Sequence, residues 1–512
     1  MSERTALVSV AVRPAGSDRW RWLGLAALLL AEAMNLLDAT IVQVAAPVIH
    51  TELSGAAADI QWFSAAYTLP FALLLITGGR LGDILGRRRL FRLGVVGFAL
   101  ASLACALAPS AGLLIGARVV QGAAAAVIIP QTFGLIRAMF HRHNELARAL
   151  GWIGPVMGLA AICGPVLGGV LTHADLLGSS WRAAFLVNLP LAGAVLAVAP
   201  LLCEDRAPRR PRSDPVGTAL AALGTGLVVY PLINAPVAAG PVWTWLGLGG
   251  GLAVLILFAA HQRRSTRLGR DPLVEPSLFG NLGFPSALAA SILFFATLNG
   301  LMLVTVLYLQ LGRGADPRTA GLSMLPWSAG MAISSWVAGA HLVPRYGPRV
   351  MYAGLAVLLS GVLAAIATFP AAGATGQPGP LLGALGVGGL GIGLFTAPFF
   401  TTALARVRPQ ETGSAAGLLN AVQQLGATLG VALLGSVFLR TAAATPPAET
   451  GSAALDAVRR AYWVAAGLLA TTGVAAALMI EPRRREPRHL EPRHLEPRRA
   501  PDRRDPNRRH PA

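Results

Sequence analysis

The sequence has no lysine, only three cysteines and little charge of either sign. Charged residues make up 13% of the 512 residues, about half of the share in a soluble domain. Such a chain has too few polar side chains to cover a water-soluble globule of its size. The cysteines, Cys105, Cys163 and Cys203, are widely spaced and lie in or beside apolar segments. They predict neither a disulfide framework nor a metal site, and we expect no metal and no cofactor.

A formal net charge of +18 is the one feature that suggests a nucleic-acid partner. Its placement argues against that reading, because the arginines lie in short loops and in the two tails. The sequence also has no basic patch interleaved with aromatic residues and no zinc-finger spacing. We therefore expect no nucleic acid among the partners.

Long apolar segments fill most of the chain, of which 54% is hydrophobic. A helix crosses about 30 Å of hydrocarbon in about twenty residues. The sequence predicts an all-α polytopic membrane protein with about fourteen transmembrane helices. The first segment lacks an adjacent cleavage site, so we expect it to be retained and not removed as a signal peptide. The predicted spans lie near 22–48, 60–78, 91–109, 112–136, 148–171, 184–202, 216–236, 242–260, 285–309, 320–342, 350–370, 380–404, 413–439 and 460–480.

The arginines alternate in phase with this map. If the N-terminus is cytoplasmic, most arginines fall in the tails and in every second loop, as the positive-inside rule requires. An odd number of spans would break the phase. We therefore predict an even number, with the N- and C-termini both cytoplasmic and the protein in the cell membrane. The few arginines predicted outside are Arg182, Arg313, Arg318, Arg440, Arg459 and Arg460.

Two halves are visible in the sequence. The loop 342–349 repeats the Leu-to-Gly-to-Arg spacing of 81–88 at the matching place of the second half, as an internal duplication predicts. The proline-rich repeat after Ile480 cannot form a packed core, and we expect it to be disordered. The predicted organisation is a cytoplasmic tail (1–21), a first six-helix bundle (22–202), a linker with two extra transmembrane helices (203–270), a second six-helix bundle (271–480) and a cytoplasmic tail (481–512).

The run from Gly79 to Arg89, Gly-Arg-Leu-Gly-Asp-Ile-Leu-Gly-Arg-Arg-Arg, joins two membrane-length segments. It resembles the signature loop after the second span of major facilitator superfamily transporters. The alternative is a tight basic loop of any polytopic protein. The resemblance implies two six-helix bundles of the major facilitator fold. It also implies a gating role for Gly79, Asp83, Gly86, Arg87 and Arg88.

Further motifs resemble the fourteen-span drug:proton antiporter branch of that superfamily. They are Leu37–Pro47 in the first span, Arg118–Gly122 in the fourth, Gly164–Gly169 in the fifth, and the segments Trp181–Pro190 and Asp214–Gly217. Few unrelated proteins carry all of these in order. The resemblance covers about residues 20–480.

Charge within a predicted span is rare, and it marks a functional candidate because it is costly in hydrocarbon. Only Glu32, Asp38 and Arg118 qualify. Glu32, Asn35 and Asp38 project into a sector about 120° wide, which we expect to face the cavity between the bundles. We predict that Asp38 and Glu32 couple transport to protons. The expected lining of the substrate cavity is Asn35, Tyr67, Arg118 and Gln121.

Structural alternatives stay open for these residues. Asp38 could serve only to fix helix packing, and Glu32 departs from the neutral polar residue usual in the family, so it could instead tune substrate charge. A guanidinium group is a poor proton carrier. Arg118 therefore either positions charge or has a purely structural role.

The fifth-span motif comprises Gly164, Pro165, Gly168 and Gly169. Its proline removes one backbone hydrogen bond and its glycines leave a smooth face, which predicts bending of the span; a plain packing kink is the alternative. Ala160 departs from the glycine with which this motif usually starts.

The resemblance implies a proton-driven exporter of a small lipophilic drug or secondary metabolite, cationic or neutral, working by alternating access. We expect a monomer whose partners are the small-molecule substrate, protons and membrane lipids. Uptake of a metabolite is the alternative within transporters. A membrane enzyme is disfavoured, because the sequence has no zinc-protease motif, nucleophile elbow or phosphate loop. A sensor or scaffold would depend on the C-terminal tail.

Overall fold

In the computed structural model, every regular element among the described residues is helical. The two tails of the chain, up to residue 17 and from residue 481, lie outside the described part, as does the expectation of a disordered C-terminal tail. The structure describes residues 18–140, 142–175, 178–204, 214–234, 240–369, 379–405, 407–408, 411–443 and 450–480.

The first half contains eight helices within the described residues. Short 3₁₀ turns at Ser180–Arg182 and Ala199–Leu201 extend the sixth span at both ends. The helices are α1 (Asp18–Leu53), α2 (Asp59–Leu85), α3 (Arg87–Ala106), α4 (Ala111–Met139), α5 (His143–Gly151), α6 (Ile153–Ala174), α7 (Ala183–Leu186) and α8 (Asn188–Val198).

The linker contributes α9 (Pro215–Asn234) and α10 (Gly240–Arg267). A 3₁₀ turn at Pro276–Phe279 leads into the second half, where π turns at Tyr308–Gly312 and Ala338–Leu342 interrupt two helices. The helices of this half are α11 (Gly283–Leu307), α12 (Pro317–Ser323), α13 (Leu325–Val337), α14 (Val343–Tyr346), α15 (Arg349–Thr368), α16 (Gly379–Leu404), α17 (Thr412–Ala443) and α18 (Thr450–Ile480).

Thirteen segments of the described chain are long and apolar enough to cross a membrane, and they match thirteen of the predicted spans. The remaining predicted span, 320–342, is not one continuous helix. It is divided among α12, α13 and the following π turn. The break falls at Met324, because Pro326 has no N–H to donate and its ring would crowd the carbonyl of Leu322.

Glycines bring helix backbones into contact in both bundles. A Cβ on Gly122 of α4 would lie 2.1 Å from the carbonyl oxygen of Tyr67 on α2. In the second bundle a Cβ on Gly430 of α17 would lie 1.9 Å from the carbonyl oxygen of Ala296 on α11. Because lipid gives apolar helices little reason to associate, close backbone approach supplies the packing energy.

The loop after α2 and its counterpart in the second half share one backbone feature. Gly86 ends α2 with φ 100°, and Gly347 ends α14 with φ 58°. Both values lie in the region that side chains other than glycine avoid. The two loops with the repeated Leu-to-Gly-to-Arg spacing therefore share a glycine of positive φ at the matching position, although its ψ differs, 128° at Gly86 and −141° at Gly347.

The two bundles meet where α1 contacts α11 and α12, where α2 contacts α17, and where α6 contacts α12 and α13. Gln310 donates to the carbonyl of Val44 at 2.8 Å, and the Thr68 and Thr428 hydroxyls lie 2.7 Å apart. Most of these polar contacts lie in the half of the helices nearer the loop between α1 and α2. The bundles are thus joined mainly at the end away from the Gly79–Arg89 loop.

Candidate functional site

A buried ion pair lies in the middle of the first bundle. Asp38 on α1 and Arg118 on α4 form a salt bridge, with side-chain exposures of 0% and 1%. The arginine also donates through Nε to the carbonyl of Phe63 at 2.9 Å and through Nη1 to Gln121 Oε1 at 2.7 Å. Two opposite charges so far from water are tolerated only because each is paired and hydrogen-bonded.

Neutral polar side chains complete the shell of the Asp38 carboxylate. Its Oδ1 accepts from Gln121 Nε2 at 2.8 Å and from Asn188 Nδ2 at 2.8 Å. Both amides also reach the hydroxyl of Ser102 on α3, at 2.8 Å and 3.3 Å. Helices α1, α3, α4 and α8 therefore converge on one carboxylate.

Two residues of this network, Ser102 and Asn188, were not among the site residues predicted from the sequence. Asn188 lies in the Trp181–Pro190 motif, so a signal was available for it. Ser102 lies in an ordinary apolar span, and no feature of the sequence distinguishes it.

Tyr67 lies against this pair, on α2. The guanidinium carbon of Arg118 is 4.3 Å from the centre of the Tyr67 ring, within the range of a cation–π contact. The tyrosine is buried and its hydroxyl has no hydrogen-bond partner among the described residues. It packs on the ion pair, in the interior of the first bundle.

Glu32 and Asn35 are also buried in the first bundle, at 8% and 7% exposure. One carboxylate oxygen of Glu32 has no hydrogen-bond partner in the described structure, and the same holds for the hydroxyl of the buried Thr132 on α4. Two acids of one helix therefore have different environments. Asp38 is fully hydrogen-bonded, whereas Glu32 keeps a free acceptor.

The expected cavity-facing sector of α1 turns out to face inward at Asp38. Its partners belong to α4 and α8, and Ser102 of α3 binds the two amides behind them, all within the first bundle. The helical period of 3.6 residues places Glu32, Asn35 and Asp38 on one face of α1. It does not predict which other helix packs against that face. The contacts with the second bundle come instead from Gln43 and Val44, one to two turns further along α1.

The Gly79–Arg89 loop is built by local contacts. Asp83 accepts from Arg87 one turn later, with Nη2 to Oδ1 at 2.7 Å. Arg87 in turn occupies the space above Gly134 of α4, where a Cβ would lie 1.6 Å from its Nη1. A Cβ added at Gly79 would lie 3.5 Å from the Cβ of Pro130, an ordinary van der Waals distance. In this conformation the Asp83 carboxylate pairs within its own bundle.

Arg88 connects the same loop to the end of the sixth span. Its backbone N–H donates to Glu204 Oε1 at 3.1 Å, and its Nη1 donates to the carbonyl of Leu202 at 3.1 Å. The charged end of the loop is thereby attached to the chain just before the linker.

Arg80 makes a contact that sequence reasoning did not identify. It donates to the carbonyls of Asp271 and Pro272, immediately before the second bundle. Arg80 occupies an unspecified position of the loop motif, so its identity carried no signal. The contact links the end of α2 to the start of the second half.

Asp214 fastens the linker helices beside this contact. Its carboxylate accepts from the Gly217 N–H at 2.8 Å and from Gln262 at 2.9 Å, and lies 3.1 Å from His261 Nε2. Burial raises the pKa of the Asp214 carboxyl, but these hydrogen bonds outweigh it and hold that pKa below its usual range. The motif Asp214–Gly217 therefore has a structural role, joining the start of α9 to the end of α10.

The glycines of the fifth-span motif face two partners. Gly164 and Gly168 lie against α1, where added Cβ atoms would be 1.9 Å from Thr40 Oγ1 and 2.9 Å from the Ile41 carbonyl oxygen. Gly169 lies against α12 of the other bundle, with a Cβ position 2.4 Å from the Pro317 carbonyl oxygen. Helix α6 continues through Pro165 and is the contact surface between the bundles on this side.

A buried charge pair within one helical bundle, a signature loop at its rim and a second bundle of matching design define a class of protein: a membrane transporter of small molecules, not an enzyme. The family model of the Major Facilitator Superfamily matches residues 28–431. The chain belongs to this superfamily, which confirms the resemblance drawn from the motifs.

Drug and antibiotic exporters are among the similar proteins. The chain is 43% identical to a probable actinorhodin transporter of Streptomyces coelicolor over 82% of its length and 72% of that relative. It is 35% identical to a puromycin resistance protein of Streptomyces alboniger, over 91% and 93%. A tetracenomycin C resistance and export protein of Streptomyces glaucescens is 33% identical, over 83% and 78%. The chain is thus a transporter of the drug-efflux type and a multi-pass membrane protein.

Solved structures match the fold. A bacterial homologue of the human lysosomal transporter Spinster superposes with a TM-score of 0.63 at 20% identity, covering 91% of this chain and 97% of that one. An auto-inhibited peptide transporter of the POT family gives 0.60 at 17% identity, over 92% and 98%. The expected all-α fold of two bundles is confirmed.

Proposed function

We propose that this protein exports small lipophilic compounds, some of them cationic, across the cytoplasmic membrane in exchange for protons. The observation that carries the proposal is the fully buried Asp38–Arg118 pair in the first bundle. A charged pair in the membrane interior has a high desolvation cost. Its retention is understandable if the pair changes charge during the working cycle.

Asp38 is the proton carrier in this proposal. A proton on Asp38 removes the negative charge, so Arg118 loses its counter-ion while it keeps the Phe63 carbonyl and Gln121 as acceptors. The pair then has two charge states. The interactions among the four helices around Asp38 change between them. Arg118 supplies the fixed positive charge of the pair.

Glu32 shapes substrate preference in the same proposal. Its carboxylate oxygen without a hydrogen-bond partner, beside the Thr132 hydroxyl, gives a cationic group of a substrate an acceptor. Asn35 supplies neighbouring polar surface, and Tyr67 and Gln121, which pack on the buried ion pair, join that surface when the helices part during the cycle. The carboxylate is a departure from the neutral residue usual in the family.

Alternating access would rock the two bundles about their shared contacts. The loop residues Gly79, Asp83, Gly86, Arg87 and Arg88 are the proposed gate at the cytoplasmic end. The flexible fifth-span motif on α6, with Gly164, Pro165, Gly168 and Gly169, is the proposed bending element.

The proposed orientation places both termini in the cytoplasm, because the loops rich in arginine then lie inside. Reporter fusions at Ser213, Arg267 and the C-terminus should all read as cytoplasmic. An outside signal from the C-terminal fusion would refute the topology. We further propose that the protein works as a monomer.

The relatives support export over uptake. Of those reported above, two are named as resistance proteins, one of them also as an export protein, and the Gly164–Gly169 motif is typical of exporters. Antibiotics or related secondary metabolites are therefore the substrate class that we favour.

Transport driven by a pH gradient in proteoliposomes tests the proposal. Asp38→Asn should abolish accumulation of every substrate, cationic or neutral. The control is Asp456→Asn, which changes an exposed acid on α18 and should transport normally. Accumulation against a gradient by the Asp38 variant would overturn the role of Asp38.

A further inference from the structure

A long apolar crevice runs between α1 and α6 in the first bundle. Its volume is about 510 Å³, and apolar side chains line it from Trp22 to Leu37 on α1 and from Trp152, which caps the start of α6, to Leu167. It contacts neither Asp38 nor Glu32. No step of the proposed transport cycle uses it.

The crevice opens away from the second bundle. On α6, Gly158 and Gly169 face α13 and α12, whereas Trp152 and Leu159 point roughly 100° away around the helix. These two side chains are 51% and 62% exposed. In a protein that crosses a membrane, exposed apolar side chains on this side face lipid.

The dimensions of the crevice select its occupant. Fifteen residues of α1 separate Trp22 from Leu37, about 22 Å along the helix. A volume of about 510 Å³ spread over that length describes a long, narrow groove, the shape of an extended hydrocarbon chain. The length exceeds the roughly 15 Å of hydrocarbon in one leaflet, so a whole chain fits.

A cation lies at the mouth of the crevice. The guanidinium carbon of Arg148, on the short helix α5, is 5.1 Å from the centre of the Trp22 ring. Glu145 of the same helix is already paired with Arg21 at 2.7 Å and lies 3.8 Å from Arg142. Among the described residues, the exposed Arg148 has no carboxylate partner. It is therefore available to an anion at the membrane surface.

Helix α5 has the position and the pattern of an interfacial helix. Ala149 is buried and Leu146 and Leu150 are half-buried in the first bundle, whereas Arg148 is exposed. Basic and aromatic side chains beside an apolar groove are the chemistry that recognises anionic lipid headgroups.

We propose that the α1–α6 crevice binds one anionic phospholipid, with an acyl chain along Leu29 and Leu159 and its phosphate on Arg148. The bound lipid covers Trp22 and Trp152 and holds α5 against the end of α4. A neutral lipid of the same chain length fills the groove but lacks the charge contact. Anionic lipid is therefore the preferred occupant.

Native mass spectrometry of the purified full-length chain tests this site directly, without any transport assay. Phosphatidylglycerol and phosphatidylcholine with identical chains are the two probes. We expect one retained phosphatidylglycerol per chain. Binding to Arg148→Gln should be about fivefold weaker, which is the contribution of one arginine to binding at an anionic surface. Arg263→Gln, an exposed arginine at the end of α10, is the matched control and should bind like the unmodified chain.

A second pair of variants tests the acyl-chain groove. Ala26 is exposed and lines the crevice, so Ala26→Phe should fill it and abolish retention of both lipids. Ala104→Phe makes the same change at an exposed position of α3 and should retain the lipid. Undiminished retention in Ala26→Phe, equal retention of the two lipids, or an unchanged affinity in Arg148→Gln would each overturn the proposal. Because binding is measured apart from transport, its failure leaves the proposed export function untouched.

Discussion

Removing one charge of the Asp38–Arg118 pair should cost more stability than removing both. Asp38→Asn leaves the guanidinium of Arg118 buried at 1% exposure with only neutral acceptors. Arg118→Gln leaves the carboxylate equally stranded. The double variant carries no buried charge, and Asn and Gln can still hydrogen-bond to each other and to Gln121.

The size of the effect follows from the geometry. Two unit charges about 4 Å apart interact by about 4 kcal/mol at the effective dielectric constant of 20 that suits protein sites. Loss of one member of a buried pair typically costs about 3–5 kcal/mol, whereas neutral replacement of both is often nearly free. The Phe63 carbonyl and Gln121 still accept from Arg118, so Asp38→Asn should lie near the lower bound, about 3 kcal/mol.

Reversible unfolding of the four proteins in one detergent measures this cycle. We expect each single variant to be destabilised, the double variant to recover most of the loss, and none of the three to accumulate substrate. Arg142→Gln is the control, because its partner Glu145 lies 3.8 Å away and Arg142 is 86% exposed; it should cost less than about 1 kcal/mol. Simple additivity of the two single variants would show that the charges are not coupled. A double variant that still pumps would refute the proton-carrier role.

Three other variants test the rest of the mechanism. Asp83→Asn should reach the membrane in normal amounts but lower turnover more than substrate affinity, because it lies at the rim of the bundle; normal efflux would remove its gating role. Glu32→Gln should keep proton coupling but lower the transport of cationic substrates in proteoliposomes more than that of neutral ones. An equal loss of transport for both would contradict the role of Glu32 in substrate preference. Gly169→Ala should slow transport, since its Cβ would lie 2.4 Å from the Pro317 carbonyl oxygen. Gly154→Ala, with open space around it, should be neutral, and equal rates in the two variants would exclude this contact from the cycle.

The overall architecture was predictable because the membrane imposes it. Hydrocarbon forces each spanning segment to be helical and about twenty residues long, and the arginines mark the loops. The interrupted span near Met324 is the exception. Hydropathy measures only how apolar a segment is, so it does not register that Pro326 cannot donate a backbone hydrogen bond.

The site was predictable only in part. Rarity of charge within spans identified Asp38, Glu32 and Arg118 as functional candidates, since each costs free energy in hydrocarbon. Their partners depend on how the helices pack, and periodicity gives no distance between helices. Ser102 is one serine in an apolar span, and only the convergence of four helices makes it a neighbour of Asp38. Asp83 likewise could reach another helix end or Arg87, and the sequence does not distinguish these contacts.

The inserted pair α9–α10 is attached to both bundles, which constrains any rocking motion. Thr218 of α9 lies 3.0 Å from Thr77 of α2 in the first bundle. Near the other end of α9, the carbonyl of Leu232 accepts from Ser436 of α17 in the second bundle at 2.7 Å. A rigid helix cannot keep both contacts while α2 and α17 move apart. In the proposed rocking motion, either one of these hydrogen bonds breaks in each cycle or α9 tilts with the bundles, and we therefore propose that the inserted pair takes part in the conformational change.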